Sequence, residues 1–346
     1  AYYAVSTDDR TTWSVAKGSD GVRPIVRNNA GTWQYNTASV TSGFGIADAS
    51  YDSKSFSVAT QDAAPRGMAF NNDGTKMYIG GDSNDEIFEY VLSTANDIST
   101  ASYNSVGLNI GSQDAAIQGI TFNNDGTQLY MLGSGTDSAF QYTLTTAFDL
   151  STASYASKSL SVAAQDAVPR GIAFKPDGTK MYIVGGGNLS IFQYSLSTAD
   201  DLSTASYDSV SFAITGITSL SSMAFNNDGT KMFVYGYASG DALQQYSLST
   251  AYDISTASYD SVSFSPLAQD GNVQSIEFSA DGTKMFASGD ATNTIYQYST
   301  VSVGYTTSTT WTNATTNDEF YALQQALGAT SVNRMDKTQL DAVADG

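Results

Sequence analysis

The turn Asp-Gly-Thr-Lys recurs along this chain at Asp73, Asp125 (with Gln128 in place of lysine), Asp177, Asp228 and Asp281. Successive copies lie 52, 52, 51 and 53 residues apart. A fixed period of that length implies one supersecondary unit per copy, each burying its apolar faces against its neighbours.

Every copy carries four short apolar runs. The first is Gly67-Met68-Ala69-Phe70, with counterparts ending at Phe122, Phe174, Phe225 and Phe278. The second follows the turn, as in Lys76-Met77-Tyr78-Ile79. The third is typified by Ile87-Phe88-Glu89-Tyr90, and the fourth alternates serine with apolar residues, as in Val210-Ser211-Phe212-Ala213. Runs of this composition, bounded by Gly, Asn, Asp and Ser, read as strands. In Lys175-Pro176-Asp177-Gly178 the proline sets the first turn φ and the glycine takes the left-handed position, so the first two strands form a hairpin. Four strands per repeat, with no helix between them, define a propeller blade.

The order within a repeat is then inner, second, third and outer strand. An outer-type strand, Lys54 to Val58, precedes the first inner strand, and the fifth repeat stops after its third strand, Ile295 to Tyr298. The early strand can complete the last blade and close the circle. The expected fold is all-β: a five-bladed β-propeller over residues 47–304. A linear solenoid would leave both the extra and the missing strand unexplained.

Residues 1–46 and 305–346 fall outside the repeat. Tyr2–Ser6 with Thr11–Val15, and Arg23–Arg27 with Thr32–Tyr35, read as two hairpins. Thr316 to Glu319 reads as a capping box ahead of a helix that lines up Phe320, Leu323 and Leu327 and stops at Gly328, with a second short helix over 336–343. All three tryptophans, Trp13, Trp33 and Trp311, lie in these flanks. The charge divides as well: residues 47–304 hold 26 Asp/Glu and 9 Lys/Arg, net −17, leaving −2 for the flanks. A closed ring brings its two ends together, so the flanks are expected to pair into one small split α+β assembly domain built around these tryptophans and the Phe320, Leu323 and Leu327 face.

Composition removes several classes of function. With no Cys and no His, the chain has no disulfide, no Cys- or His-ligated zinc, no thiol nucleophile and no Ser-His-Asp triad. A net charge of −19 makes nucleic acid and anionic membranes poor partners. Nowhere do 18 apolar residues run together, as a membrane-spanning helix requires. The first residues show no basic-then-apolar leader pattern.

Three sets of residues are candidates for recognition or structure. In a propeller, second-to-third-strand loops share a face with outer-to-inner loops. The second-to-third loops vary among the repeats, and their residues Asp82, Asn84, Asp85, Asp137, Asn188, Tyr235, Tyr237, Asp241, Asp290 and Asn293 form the expected recognition surface. Asp62, Asp114, Asp166 and Asp270 each follow a glutamine in an outer-to-inner loop. They are either oxygen ligands for Ca²⁺ or turn residues accepting backbone N–H groups, with Arg66 and Arg170 placed to neutralise two of them. Asp97, Asp149, Asp201 and Asp253 read as turn formers, and Tyr90, Tyr142, Tyr194, Tyr246 and Tyr298 as packing between blades. No cofactor is expected beyond that Ca²⁺ alternative. Glycoside hydrolysis needs a pair of carboxylates about 5–10 Å apart. The inner strands carry only Glu277, so no enzyme is expected.

The repeat, with its Asp-Gly-Thr-Lys-Met-Tyr turn and the segment Leu-Ser-Thr-Ala-x-Asp-Ile-Ser-Thr-Ala-Ser-Tyr at Leu92–Tyr103, Leu144–Tyr155, Leu196–Tyr207 and Leu248–Tyr259, resembles propellers of marine tailed-phage virion proteins and of some marine bacteria. The flanks are similar to a phage module that pairs an N-terminal part containing Tyr2 to Trp13 and Arg23 to Asn36 with a C-terminal part containing Asp318 to Leu327. The resemblance implies a virion fibre, tail or capsid-decoration component, in an extracellular particle, contacting other virion proteins and copies of itself. The alternative is a carbohydrate-binding propeller, a lectin-like adhesin holding a host surface glycan. Such a lectin would repeat an aromatic and amide pair in each variable loop, and that repetition is missing.

Overall fold

The computed structural model describes residues 43–236 and 242–300 with their side chains, and Tyr237 as backbone. It also describes, as backbone, six short flanking strands: Ala4–Ser6, Ile25–Asn29, Thr32–Asn36, Ser39–Ser42, Ser302–Tyr305 and Thr312–Asn313. The chain divides into two compact units, Gly43–Val301 and the pair of segments Ala1–Ser42 and Ser302–Gly346.

The larger unit is a five-bladed propeller of four-stranded antiparallel sheets. Blade 1 comprises Pro65–Phe70, Lys76–Gly81, Glu86–Leu92 and Ala101–Asn109, and blades 2 to 4 repeat that order. Blade 5 takes Val273–Phe278, Lys284–Gly289 and Thr294–Ser299 from one end of the unit and its outer strand, Ser50–Ser57, from the other. Ile295 lies opposite Phe56 and Tyr298 opposite Tyr51. Each inner strand abuts the next, and the fifth abuts the first. Helix among the described residues is confined to five one-turn 3₁₀ segments.

The propeller begins earlier than residue 47. Phe44 donates its N–H to the Gly282 carbonyl at 2.6 Å, and its ring packs beside Phe233 and Phe278. It is the fifth copy of a position held by Asn96, Phe148, Asp200 and Tyr252, all of which share its positive φ. Each of these side chains covers the glycine of an Asp-Gly turn, itself at positive φ, where a β-carbon would strike it. The glycine therefore serves two needs at once. Sequence comparison overlooked Phe44 because the aspartate that marks this segment elsewhere is Gly45 here.

Local chemistry builds each blade. Asp97, Asp149, Asp201 and Asp253 cap the 3₁₀ turns between third and outer strands, accepting N–H bonds from Ser99, Ser151, Ser203 and Ser255 at 3.0–3.1 Å. Just beyond, Ser53, Ser105, Ser157, Ser209 and Ser261 adopt positive φ, producing a bulge that lets every outer strand bend around its blade. The core lies between blades. Tyr90, Tyr142, Tyr194, Tyr246 and Tyr298 are all buried. Tyr90 meets Phe56, Tyr246 meets Phe212 and Tyr298 meets Phe264, in each case on the outer strand of the preceding blade.

In the smaller unit, Ile25–Asn29 and Thr32–Asn36 form an antiparallel hairpin. Ala4–Ser6 runs parallel beside its first strand, and Thr312–Asn313 pairs with its second. The strand at Ala4–Ser6 thus pairs with the second expected hairpin; Thr11–Val15 lies outside the described residues. Ser39–Ser42 and Ser302–Tyr305 pair antiparallel. Trp33 lies on Thr32–Asn36, opposite Asn28. Trp13, Trp311, Phe320, Leu323, Leu327 and both expected helices lie outside the described residues.

Candidate functional site

The variable face is built around the four Gln-Asp loops. Asp62 accepts N–H bonds from Ala64 at 2.7 Å, Ser83 at 3.3 Å and Asn84 at 3.2 Å. Asp114 accepts from Ala116, Gly135 and Thr136 and from the Thr136 hydroxyl, at 2.7–3.1 Å. Asp166 and Asp270 repeat the pattern. Each carboxylate is 1–3% exposed and clasps its own outer-to-inner loop to the second-to-third loop of the same blade. The four aspartates act in four separate blades. Of the two roles weighed for them, the structure assigns the backbone acceptor. Among the described residues no group of three or more carboxylates gathers as a metal site. Asp114→Ala should remove four such bonds at a buried position, costing roughly 2–4 kcal/mol. Chemical denaturation would measure this, and unchanged stability would remove the clasp's importance.

Arg66 and Arg170 do not neutralise these aspartates. Arg66 reaches Asp290 of blade 5 at 3.0 Å and Asp82 at 3.9 Å, and Arg170 donates to Gln118 of blade 2 at 2.9 Å. Both stitch neighbouring blades.

The loop residues proposed for recognition largely hold their own loops. Asp85, Asp137 and Asn293 take positive φ, and their carbonyls accept the N–H of Ile110, Val162 and Val58. Asn84 and Asn188 donate side-chain bonds to Gln61 and Gln165 carbonyls. Asp82 and Asp290 engage Arg66; burial, only partly offset by that guanidinium, holds the Asp82 carboxyl above its ordinary range. Tyr235 is a correction: it lies inside the second strand of blade 4, paired with Ser222 and Leu243, and is fully buried. That strand runs two residues further than the tyrosine, to Tyr237, so Tyr235 is part of the sheet and not of the loop. Asp241 lies outside the described residues.

Contacts that sequence reasoning missed run through the middle of the third strands. Glu89, Gln141, Gln193 and Gln297 accept the N–H of Leu150, Leu202, Ile254 and Ile98, the first residue of the next blade's 3₁₀ turn, at 2.9–3.3 Å. The signal was present: Glu89, Gln141, Gln193, Gln245 and Gln297 put an amide or carboxylate directly before the third-strand tyrosine in every repeat. In blades 3 to 5 the same side chain joins a lysine and an aspartate. Lys180, Lys231 and Lys284 pair with Asp208, Asp260 and Asp52. In blade 1 the charge has moved, with Lys76 pairing with Glu89 at 2.8 Å and Asn104 donating to the same carboxylate.

The central channel is the other feature with chemical potential. Ala69, Thr121, Ala173, Ala224 and Glu277 hold one register position in the five inner strands, opposite Tyr78, Tyr130, Tyr182, Phe233 and Phe286. Four of the five are small. The fifth projects a carboxyl into a cavity of about 220 Å³. Loss of hydration, slightly countered by the Phe278 N–H, pushes that carboxyl up to about 8.

These features define the class of the protein as a closed five-bladed propeller with one channel. No family model and no curated protein matches its sequence. Similar solved structures include a Bacteroides uniformis protein provisionally assigned as a 6-phosphogluconolactonase, at TM-score 0.44 and 12% identity, covering 70% of this chain and 67% of that one. A functionally unknown Desulfotomaculum acetoxidans protein gives 0.43 and 13% over 70% and 85%. A Lactobacillus plantarum protein gives 0.42 and 14% over 70% of each. At this depth the likeness carries no argument about activity.

Proposed function

We propose that the chain is a non-enzymatic structural protein of a virion, a fibre, tail or capsid-decoration component whose propeller serves assembly or contact with a host surface. The observation that carries the reading is the insertion of the propeller into a second unit. The strands that flank it in sequence, Ser39–Ser42 and Ser302–Tyr305, pair with each other, and Thr312–Asn313 joins a sheet otherwise made by the N-terminal segment. A module tied at both ends resists being pulled open, which suits a particle component. Chemistry finds little support: among the described residues, Glu277 is the one carboxylate lining the two recesses of the channel, and glycoside hydrolysis needs two.

Cryo-electron microscopy of the native assembly tests the reading. Ordered symmetric copies joined through residues 1–42 and 302–346 are expected. A lone soluble monomer with sugar density on the variable loops would replace this reading with the carbohydrate-binding one.

A further inference from the structure

We infer that the central channel is a binding site for a small organic ammonium ion, with the Glu277 carboxylate as its counter-ion and phenyl rings as its walls. The site is already shaped. Phe70, Phe174, Phe225 and Phe278 line the cavity. Its rim is formed by Asn72, Pro176, Asn227 and Ala280, all exposed on the face of the Asp-Gly turns. Asn72 and Asn227 each donate across to the neighbouring blade, to the Asn124 and Ala280 carbonyls at 2.6 and 2.7 Å, so the rim is braced open. A second recess of about 180 Å³ shares Glu277, Thr121 and Phe174, which leaves room for an ion of several heavy atoms.

The chemistry of the walls selects the ligand. A bare inorganic cation wants six or more oxygen ligands, whereas this channel offers one carboxyl and the Thr121 hydroxyl beside its phenyl rings; Asn71, Asn226 and Ser279 are bonded within their turns and Asn72 and Asn227 across the rim. An alkylammonium needs one counter-ion and gains from aromatic and aliphatic surroundings. The overall charge of −19 draws cations towards the molecule. Among the residues lining the two recesses, the other charged side chain is Lys175, and its ammonium is held by Asp177 at 2.7 Å. Glu277 is therefore left without an internal cation.

Because the empty site favours the neutral acid, loading it at neutral pH exchanges a proton for the ligand: Glu277–COOH and R–NH₃⁺ give the ion pair and H⁺. Titration calorimetry of the full chain with n-propylammonium chloride tests this. Affinity should tighten about tenfold per pH unit between pH 6 and 8 and level off above. Paired buffers of different ionisation enthalpy should report close to one proton released per ligand at pH 6.5 and none at pH 9.5. Neutral propan-1-ol should not bind, and Glu277→Gln should weaken propylammonium binding at least about tenfold. No binding of millimolar propylammonium at pH 9.5, equal binding of propanol, or binding without the proton release overturns the inference, independently of whether the variant folds.

Discussion

Glu277→Gln should raise the thermal stability of the propeller, with the largest gain at pH 9 and almost none at pH 4. The carboxyl has an ordinary value of 4.5 and sits near 8 in the fold. Between those limits the folded chain holds a proton that the unfolded chain has lost. A raised acid is thus harmless below pH 4.5, and stability falls as pH climbs through the window to about 8. At 1.36 kcal/mol per unit the full effect is of order 3–5 kcal/mol. Glutamine keeps the shape of the neutral acid and removes the titration. Calorimetric melting of both proteins at pH 4, 7 and 9 would measure it. Parallel pH profiles would show that the channel hydrates Glu277 freely.

Asp52→Ala should destabilise the protein by about 2–4 kcal/mol and, more tellingly, loosen the ring at its seam. Asp52 accepts from Lys284 at 2.7 Å, Gln297 at 2.9 Å and Ser299 at 2.6 Å, joining the only outer strand that comes from the far end of the propeller to the rest of its blade. Burial pushes its carboxyl up, but these bonds and the Lys284 charge outweigh that and hold it low. Its contribution is therefore present above the ordinary carboxylate range and is lost as pH falls through the lowered value. Asp208 makes the same contacts in blade 3, where the outer strand follows its neighbour directly in the chain. Asp208→Ala should cost similar free energy without opening the seam. Limited proteolysis separates the two: cleavage between residues 43 and 64 should accelerate in the Asp52 variant alone. Equal protection in both would mean that backbone pairing along Ser50–Ser57 suffices for closure.

The difference between these two aspartates shows how far one sequence can be read. Their blades look alike in sequence, down to the lysine, the glutamine and the serine, and only ring closure makes Asp52 a latch. The exchange of charge between Glu89 with Asn104 in blade 1 and Gln193 with Asp208 in blade 3 was visible by aligning repeats. It acquired meaning once the two positions were found side by side.

What the sequence determined by itself rests on local chemistry repeated five times. Asp-Gly turns can be made in few ways, aspartate caps the turn that follows it in the chain, and strands missing at one end and surplus at the other leave one way to close a circle. Those constraints act within a few residues or through counting, so blades, closure and the tyrosine ring were all legible. Tertiary structure alone decided the rest, because it depends on what distant segments bring within 3 Å. The Gln-Asp loops became clasps because the second-to-third loop of each blade folds its N–H groups onto them. Tyr235, at the register position of Gly80, Leu132, Val184 and Ser288, is buried because the second strand lies between the first and third strands of its blade. Glu277, one acid among four small residues, became the most unusual group in the protein because four other inner strands confine it to a narrow channel with no cation lining it but the paired Lys175.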